Sequence, residues 1–184
     1  MIFDSDEKLI QKALHGNEAA WIKLVKRYEK RLYNYCLRMT GATDEAMDIV
    51  QEIFISIFRN LPNYRGDGVF PAWLFRIASN RCTDFLRKQS RNPLQANDDY
   101  ETENLKSSTK LEEDVYRSQS NRSVLVMMQS LTTEQRQVIE LKCFQNMTFD
   151  EIEYYTGLSA NTAKTRFYSA LKKLKNVTEI AHAI

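Results

Sequence analysis

Apolar side chains recur every three or four residues along most of this 184-residue chain, and no useful stretch alternates apolar with polar. That period is the signature of helices packing through one face. Five Gly and three Pro are few for the length, which disfavours a turn-rich β fold. Hydrophobic residues at 43% are enough to build a core, so an ordered all-α fold is expected. No run approaches the ~20 apolar residues of a membrane helix. The best, Ile53 to Phe58, is interrupted by Ser56 and stopped by Arg59. The start, MIFDSDEK, lacks the basic-then-apolar layout of a signal peptide, so a cytosolic location is expected.

Chemistry-bearing residues are sparse. Cys36, Cys82 and Cys143 are far apart with no CxxC pair, and are expected to be small buried or half-buried apolar residues. His15 and His182 stand at opposite ends. No Gly-rich phosphate loop, metal-ligand spacing or nucleophile elbow is present, so neither an enzyme nor a cofactor is expected.

The charge is segregated. Residues 1–58 hold 8 bases and 9 acids, 59–94 hold 7 and 2, 95–118 hold 3 and 7, and 119–176 hold 8 and 5. Two basic bodies therefore flank an acidic stretch poor in large apolar residues, which reads as a linker. The expected organisation is two helical domains, 1–94 and 119–176, joined by a linker over 95–118 and followed by a short tail, 177–184.

Helix punctuation is clear in both bodies. Ser5 or Asp4, Asn17 and Thr43 are candidate N-caps, Gly41 is a stop, and Pro71 suits a first turn. Ala46, Ile49, Val50, Ile53, Phe54, Ile57 and Phe58 share an apolar face, with Asp48, Gln51 and Glu52 on a polar strip beside it. In GVFPAWLFRIASNRCTDFLRK, aromatic residues interleave with Arg76, Asn80, Arg81, Arg87 and Lys88. Aromatics with cations suit single-stranded nucleic acid, although Trp73 and Phe85 also fit the core face.

In the second body, Thr132 with Gln135 and Thr148 with Glu151 fit the capping-box pattern. TFDEIEYYTGLSANTAKTRFYSALKKLK has helix-turn-helix form, with Gly157 at the turn and Leu158 plugging the angle. Its second helix carries Ala163, Phe167, Ala170, Leu171 and Leu174 on one face. Residues 159–175 contain five bases and no acid. A short cationic helix with polar side chains suits the DNA major groove. A helical hairpin with a solvated basic face would show part of the same pattern.

These residues, in this order, resemble the sigma-70 family of bacterial transcription initiation factors, in its compact ECF (extracytoplasmic function) subgroup. DIVQEIFISIFRNL with FPAWLFRIASNRCTDFLRK resembles region 2. LTTEQRQVIELKCFQNMTFDEIEYYTGLSANTAKTRFYSALKKL resembles region 4. The resemblance implies that Asp48, Gln51 and Glu52 meet the clamp helices of the β′ subunit of core RNA polymerase, with the second body near the β flap. It implies that Asn80 holds a base flipped from the minus-ten element, with loop residues Asn63 to Val69, Arg65 among them, around the pocket. Arg76, Arg81 and Lys88 would meet nearby phosphates. Lys164, Thr165, Tyr168 and Ser169 would face minus-thirty-five base edges, with Arg166 and Lys172 nearer phosphates. Many members carry arginine where Ser169 stands and a differently charged loop where NYRGDGVF stands, so promoter sequences do not transfer. The short stretch after Lys175 leaves no room for a sensor domain, so regulation by a separate anti-sigma factor is expected. The rival reading is a conventional helix-turn-helix regulator whose first 94 residues dimerise or sense a signal. An adaptor without a DNA role is a further alternative, disfavoured by the acid-free helix.

Overall fold

A computed structural model describes residues 4–66, 68–91 and 122–182. The expected linker, 95–118, lies outside them. All regular elements among the described residues are helical. The first body comprises α1 (Asp6–Leu14), α2 (Glu18–Thr40), α3 (Thr43–Asn60), a 3-10 turn at Leu61–Asn63 and α4 (Phe70–Arg91). The second comprises α5 (122–129), α6 (Thr133–Ile139), α7 (Phe149–Thr156) and α8 (Ala160–His182). A π-helical turn at Glu140–Phe144 extends α6.

Local chemistry sets the boundaries. The Ser5 hydroxyl accepts from the Lys8 backbone, and the Asn17 side chain accepts from the Ala20 backbone. Each thereby satisfies a first-turn N–H that has no partner inside the helix. Helix α2 ends at left-handed Gly41. Thr43, expected to cap α3, is instead its first residue; the cap position is Ala42, whose methyl group can accept no hydrogen bond. The acidic residues Asp44 and Glu45 in that first turn complement the helix dipole instead.

Helices α1 to α4 bury Leu24, Leu32, Tyr35, Met39, Ile53, Ile57, Leu74 and Phe75 almost completely. The same core continues across the boundary into Val138, Leu141, Met147, Ile152 and Tyr155. A smaller second core, Met128, Leu131, Ile139 and Ala170, lies wholly within the second body. Two expected core residues differ. Phe58 is 61% exposed and packs edge-on to Trp21, and Leu171 is 40% exposed on α8. Both sit at the margin of their apolar stripe, where helical period alone does not separate core from rim. Cys36 and Cys82 are buried as expected, whereas Cys143 is exposed on the π turn.

The two bodies meet along a polar seam. Arg38 on α2 makes a two-pronged contact with Glu140, donating from Nε at 2.7 Å and from Nη2 at 2.6 Å. Glu140 is fully buried, and Phe144 stacks 4.0 Å from the Arg38 guanidinium. Burial pushes the Glu140 carboxyl above its usual range, against the opposing pull of Arg38 and Gln145. The C-terminal carbonyls of α2 are covered from the other body. Gln129 donates to the Arg38 carbonyl at 3.1 Å, and Arg136 donates to the Met39 carbonyl. A cation at this helix end also meets the negative end of the dipole. Gln137 donates to the Ser79 hydroxyl, and Arg31 donates to Gln145 at 2.9 Å.

A buried pair is costly to break on one side and cheap to replace on both. Glu140→Ala is therefore expected to lower unfolding stability by about 2–3 kcal/mol, because Arg38, only 15% exposed, loses its charge partner. The Arg38→Met, Glu140→Met double variant is expected to stay within about 1 kcal/mol of the parent. Urea unfolding followed by far-UV circular dichroism measures both.

Candidate nucleic-acid and polymerase-binding surfaces

Three surfaces assemble from the sequence-predicted residues. The first is the outer edge of α3, where Asp48, Gln51 and Glu52 are all exposed. The structure adds Met47 and Ile55 to them, each 51% exposed, at helical spacing from Gln51. The result is a mixed acidic and apolar strip rather than a purely polar one. Sequence reading left Met47 and Ile55 off the apolar face of α3 and assigned them no surface of their own, although their i, i+4, i+8 spacing with Gln51 places them on the same strip.

The second surface is α4 with the loop before it. Arg76, Asn80, Arg81, Lys88 and loop residue Arg65 are all exposed. At roughly 100° per residue, Arg76, Asn80 and Arg87 share one strip, whereas Arg81 and Lys88 lie about 100° round the helix. Arg81 leans to α3, where Nη2 donates to the Ser56 hydroxyl at 3.4 Å. Arg87 thus stands closer to Asn80 than the expected set implied, a relation that the i, i+4, i+11 spacing contains. The loop is buttressed by aromatic contacts. Tyr64 packs on Phe70 and Trp73, and its hydroxyl donates to the Gly68 carbonyl at 3.0 Å. Trp73 is half-buried in this cluster, in keeping with a core role.

The third surface is the helix-turn-helix of α7 and α8. The Thr148–Glu151 capping box is complete, as is Thr132–Gln135 at α6. Its backbone and hydroxyl donors hold the Glu151 carboxyl below the usual range. Gly157 has φ of 74°, a left-handed conformation that a side chain disfavours. Ser159 accepts from the Thr162 backbone and starts α8. Ala163 and Ala170 are fully buried, which fixes the opposite face. That face brings together Lys164, Thr165, Tyr168 and Lys172, all exposed. Ser169 and Arg166 sit at its margins. The Ser169 hydroxyl accepts from Gln135 Nε2 at 3.0 Å, and Arg166 turns toward α4. Lys164 Nζ lies 5.9 Å from the Phe149 ring.

Among the described residues, no group of three or more His, Cys, Asp and Glu could hold a metal ion, and no helix is long and apolar enough to cross a membrane.

A helical body with a basic, aromatic-backed surface, joined to a cationic helix-turn-helix, defines a class of two-part helical DNA-binding proteins. Two family descriptions match the chain. Sigma-70 region 2 matches residues 24–92, and Sigma-70, region 4 matches residues 121–174. The ECF RNA polymerase sigma-E factor of Escherichia coli (strain K12) is 29% identical over 179 residues, 94% of this chain and 93% of the relative. The RNA polymerase sigma-H factor of Pseudomonas aeruginosa is 26% identical over 174 residues, 91% of this chain and 90% of the relative. Among solved structures, CnrH in complex with the cytosolic domain of CnrY shares the fold with a TM-score of 0.70 at 24% identity, covering 96% of this chain and 99% of that one. The sigma factor RpoE, in complex with the anti-sigma factor NepR from Bartonella quintana, shares it with a TM-score of 0.69 at 18% identity, covering 86% and 96%. The chain belongs to the sigma-70 family of transcription initiation factors, in the ECF subgroup.

Gly157→Ala places a Cβ in left-handed backbone at the turn between α7 and α8. It is expected to cost about 1 kcal/mol or more, with Gly157→Asn costing less. Thermal unfolding of the two variants beside the parent checks the order.

Proposed function

We propose that this chain binds core RNA polymerase, reads the minus-thirty-five element through α8 and the minus-ten element through α4 and its loop, and promotes promoter melting. The observation that carries the reading is the pairing of two different nucleic-acid surfaces in one chain. The exposed face of α8 presents Lys164, Thr165, Tyr168 and Lys172 around a helix sized for the major groove. The α4 strip presents Asn80, whose amide both donates and accepts, between Arg76 and Arg87. An amide flanked by cations suits a flipped base held next to its phosphates. Arg81 and Lys88 extend the positive surface along the strand, and Arg65 contributes from the loop.

In this reading Asp48, Gln51 and Glu52 meet the clamp helices of the β′ subunit, with Met47 and Ile55 supplying apolar area to the same contact. The second body docks near the β flap, and the acidic segment 95–118 threads toward the RNA path. Tethering to polymerase then raises the effective concentration of both modules at one promoter, so each can bind DNA weakly alone. Flipping a base costs a few kcal/mol, which the contacts around Asn80 must offset. An anti-sigma factor is the expected regulator, and the place of action is the cytosol.

Transcription of host genomic fragments by purified core polymerase, with and without the chain, tests the whole proposal. Specific transcripts are expected only with the chain; tight specific duplex binding without transcripts would favour the conventional regulator. Asn80→Ala is expected to lower promoter opening, read by permanganate reactivity, while polymerase affinity in a native gel stays unchanged. Lys164→Ala is expected to relax upstream sequence choice by about 1–3 kcal/mol, seen as unequal loss across variant promoters. A uniform loss would mark a phosphate contact instead.

A further inference from the structure

Helices α6 and α7 begin with the same device and differ in one chemical group. In each, a Thr hydroxyl accepts from a first-turn N–H, and the side chain three residues on returns to the cap N–H. In α7 that side chain is Glu151, whose Oε2 accepts from the Thr148 N–H at 2.7 Å. In α6 it is Gln135, whose Oε1 accepts from the Thr132 N–H at 3.2 Å. Either residue completes a capping box. What glutamine adds is a donor, and its Nε2 donates to the Ser169 hydroxyl on α8 at 3.0 Å.

The cap fixes the direction of this contact. A backbone N–H can only donate, so the amide oxygen faces Thr132 and the amide nitrogen faces Ser169. The Ser169 oxygen therefore accepts, and its single hydrogen points away from Gln135. Among the described residues no protein group takes that hydrogen. Ser169 is exposed, beside the face of α8 proposed to enter the major groove. Thr165, about 6 Å earlier along the same helix, is set the other way. Its hydroxyl donates to the Asn161 carbonyl at 2.9 Å, so its lone pairs are what it offers outward.

We infer that Gln135 is a positioning residue for promoter reading: it fixes Ser169 as a donor toward an acceptor on a base edge, one turn from Thr165, which is fixed as an acceptor. The inference rests on the function proposed above. In the major groove the acceptors are guanine N7 and O6, adenine N7 and thymine O4, and the donors are the amino groups of cytosine and adenine. A hydroxyl free to rotate serves either kind and discriminates little. With an amide N–H donating to it, the Ser169 hydroxyl turns its hydrogen outward. The two orientations of a G·C pair then differ, because they exchange the places of the guanine acceptors and the cytosine donor. Gln135 acts here only through Ser169.

Gln135→Glu tests this, because it keeps the capping box, as Glu151 does in α7, and removes the donor. Ser169 then donates inward to the carboxylate and offers DNA its lone pairs. The full chain and purified core polymerase transcribe a promoter found among host genomic fragments, its upstream element changed one base pair at a time. Ser169→Ala is expected to flatten the preference at one position. There the parent is expected to favour one orientation of the G·C pair by about threefold or more, and Gln135→Glu the opposite orientation. The added acid weakens DNA binding for all sequences alike, so the ranking is the readout. In the Ser169→Ala background, Gln135→Glu is expected to leave the ranking unchanged. An unchanged ranking with Gln135→Glu alone would reduce Gln135 to a cap and overturn the inference. A reversal that persists without the Ser169 hydroxyl would overturn it too, since Gln135 would then read DNA itself. So would a Ser169→Ala variant that flattens no position. Absence of transcripts from the parent would remove the proposed function, and this inference with it.

Discussion

The buried contact between Arg38 and Glu140 is the constraint around which the arrangement of the two bodies is organised. A carboxylate with no solvent exposure must find charge and donors inside the protein. Glu140 finds them almost entirely on the other body, in the Arg38 guanidinium. Arg136, one helical turn earlier, reaches in the same direction to the last carbonyls of α2. Two oppositely charged residues four apart, Arg136 on α6 and Glu140 at the start of the π turn, thus grip the same helix end, one through that end's backbone carbonyl and the other through the Arg38 side chain. The apolar packing of Val138 and Leu141 between and beside them removes water from both contacts. The orientation of α7 and α8 over α4 follows from this grip, because α6 and the π turn lead directly into the helix-turn-helix.

Most of the local architecture was legible in the sequence because it is written in short-range chemistry. The caps at Ser5 and Asn17, both capping boxes, and the turns at Gly41 and Gly157 are decided by residues within four positions of one another. The exposed face of α8 was legible for the same reason, since Ala163, Phe167 and Ala170 mark its opposite side. What was not legible depends on distant partners. Glu140 looks like an ordinary helix-surface acid until Arg38, 102 positions away, is placed against it. The Ser169 hydroxyl, read as a groove-facing group, is met by Gln135 from a helix that the local pattern does not mention. Cys143 was expected inside because cysteine generally is; the wide turn carrying it faces outward instead. The placement of Phe58 and Leu171 at exposed margins shows the resolution limit of a helical period, which marks a stripe but not where the neighbouring helix ends.

The proposed binding surfaces share a physical design. Each places few specific groups on a rigid helix whose other face is pinned by small or fully buried residues. On α4, Ala78, Ser79 and Cys82 hold the back of the strip that carries Asn80. On α8, Ala163 and Ala170 do the same for Lys164 and Tyr168. Small residues at the contact let the helices approach closely, so the exposed side chains inherit the precision of the core rather than the freedom of a loop.

The π turn sets a phase. By closing its backbone bond from Gln145 to Glu140, it accommodates one residue more than an α-helical turn would over the same rise. The helix ends in this turn, and left-handed Asn146 then redirects the chain through Met147 to the cap of α7 at Thr148. Removing or adding a single residue here would leave the caps, the turn at Gly157 and the buried face of α8 chemically intact. It would re-aim the whole helix-turn-helix relative to α4. The angular relation between the two halves of the molecule thus depends on the length of this turn, apart from any of the residues proposed to read DNA.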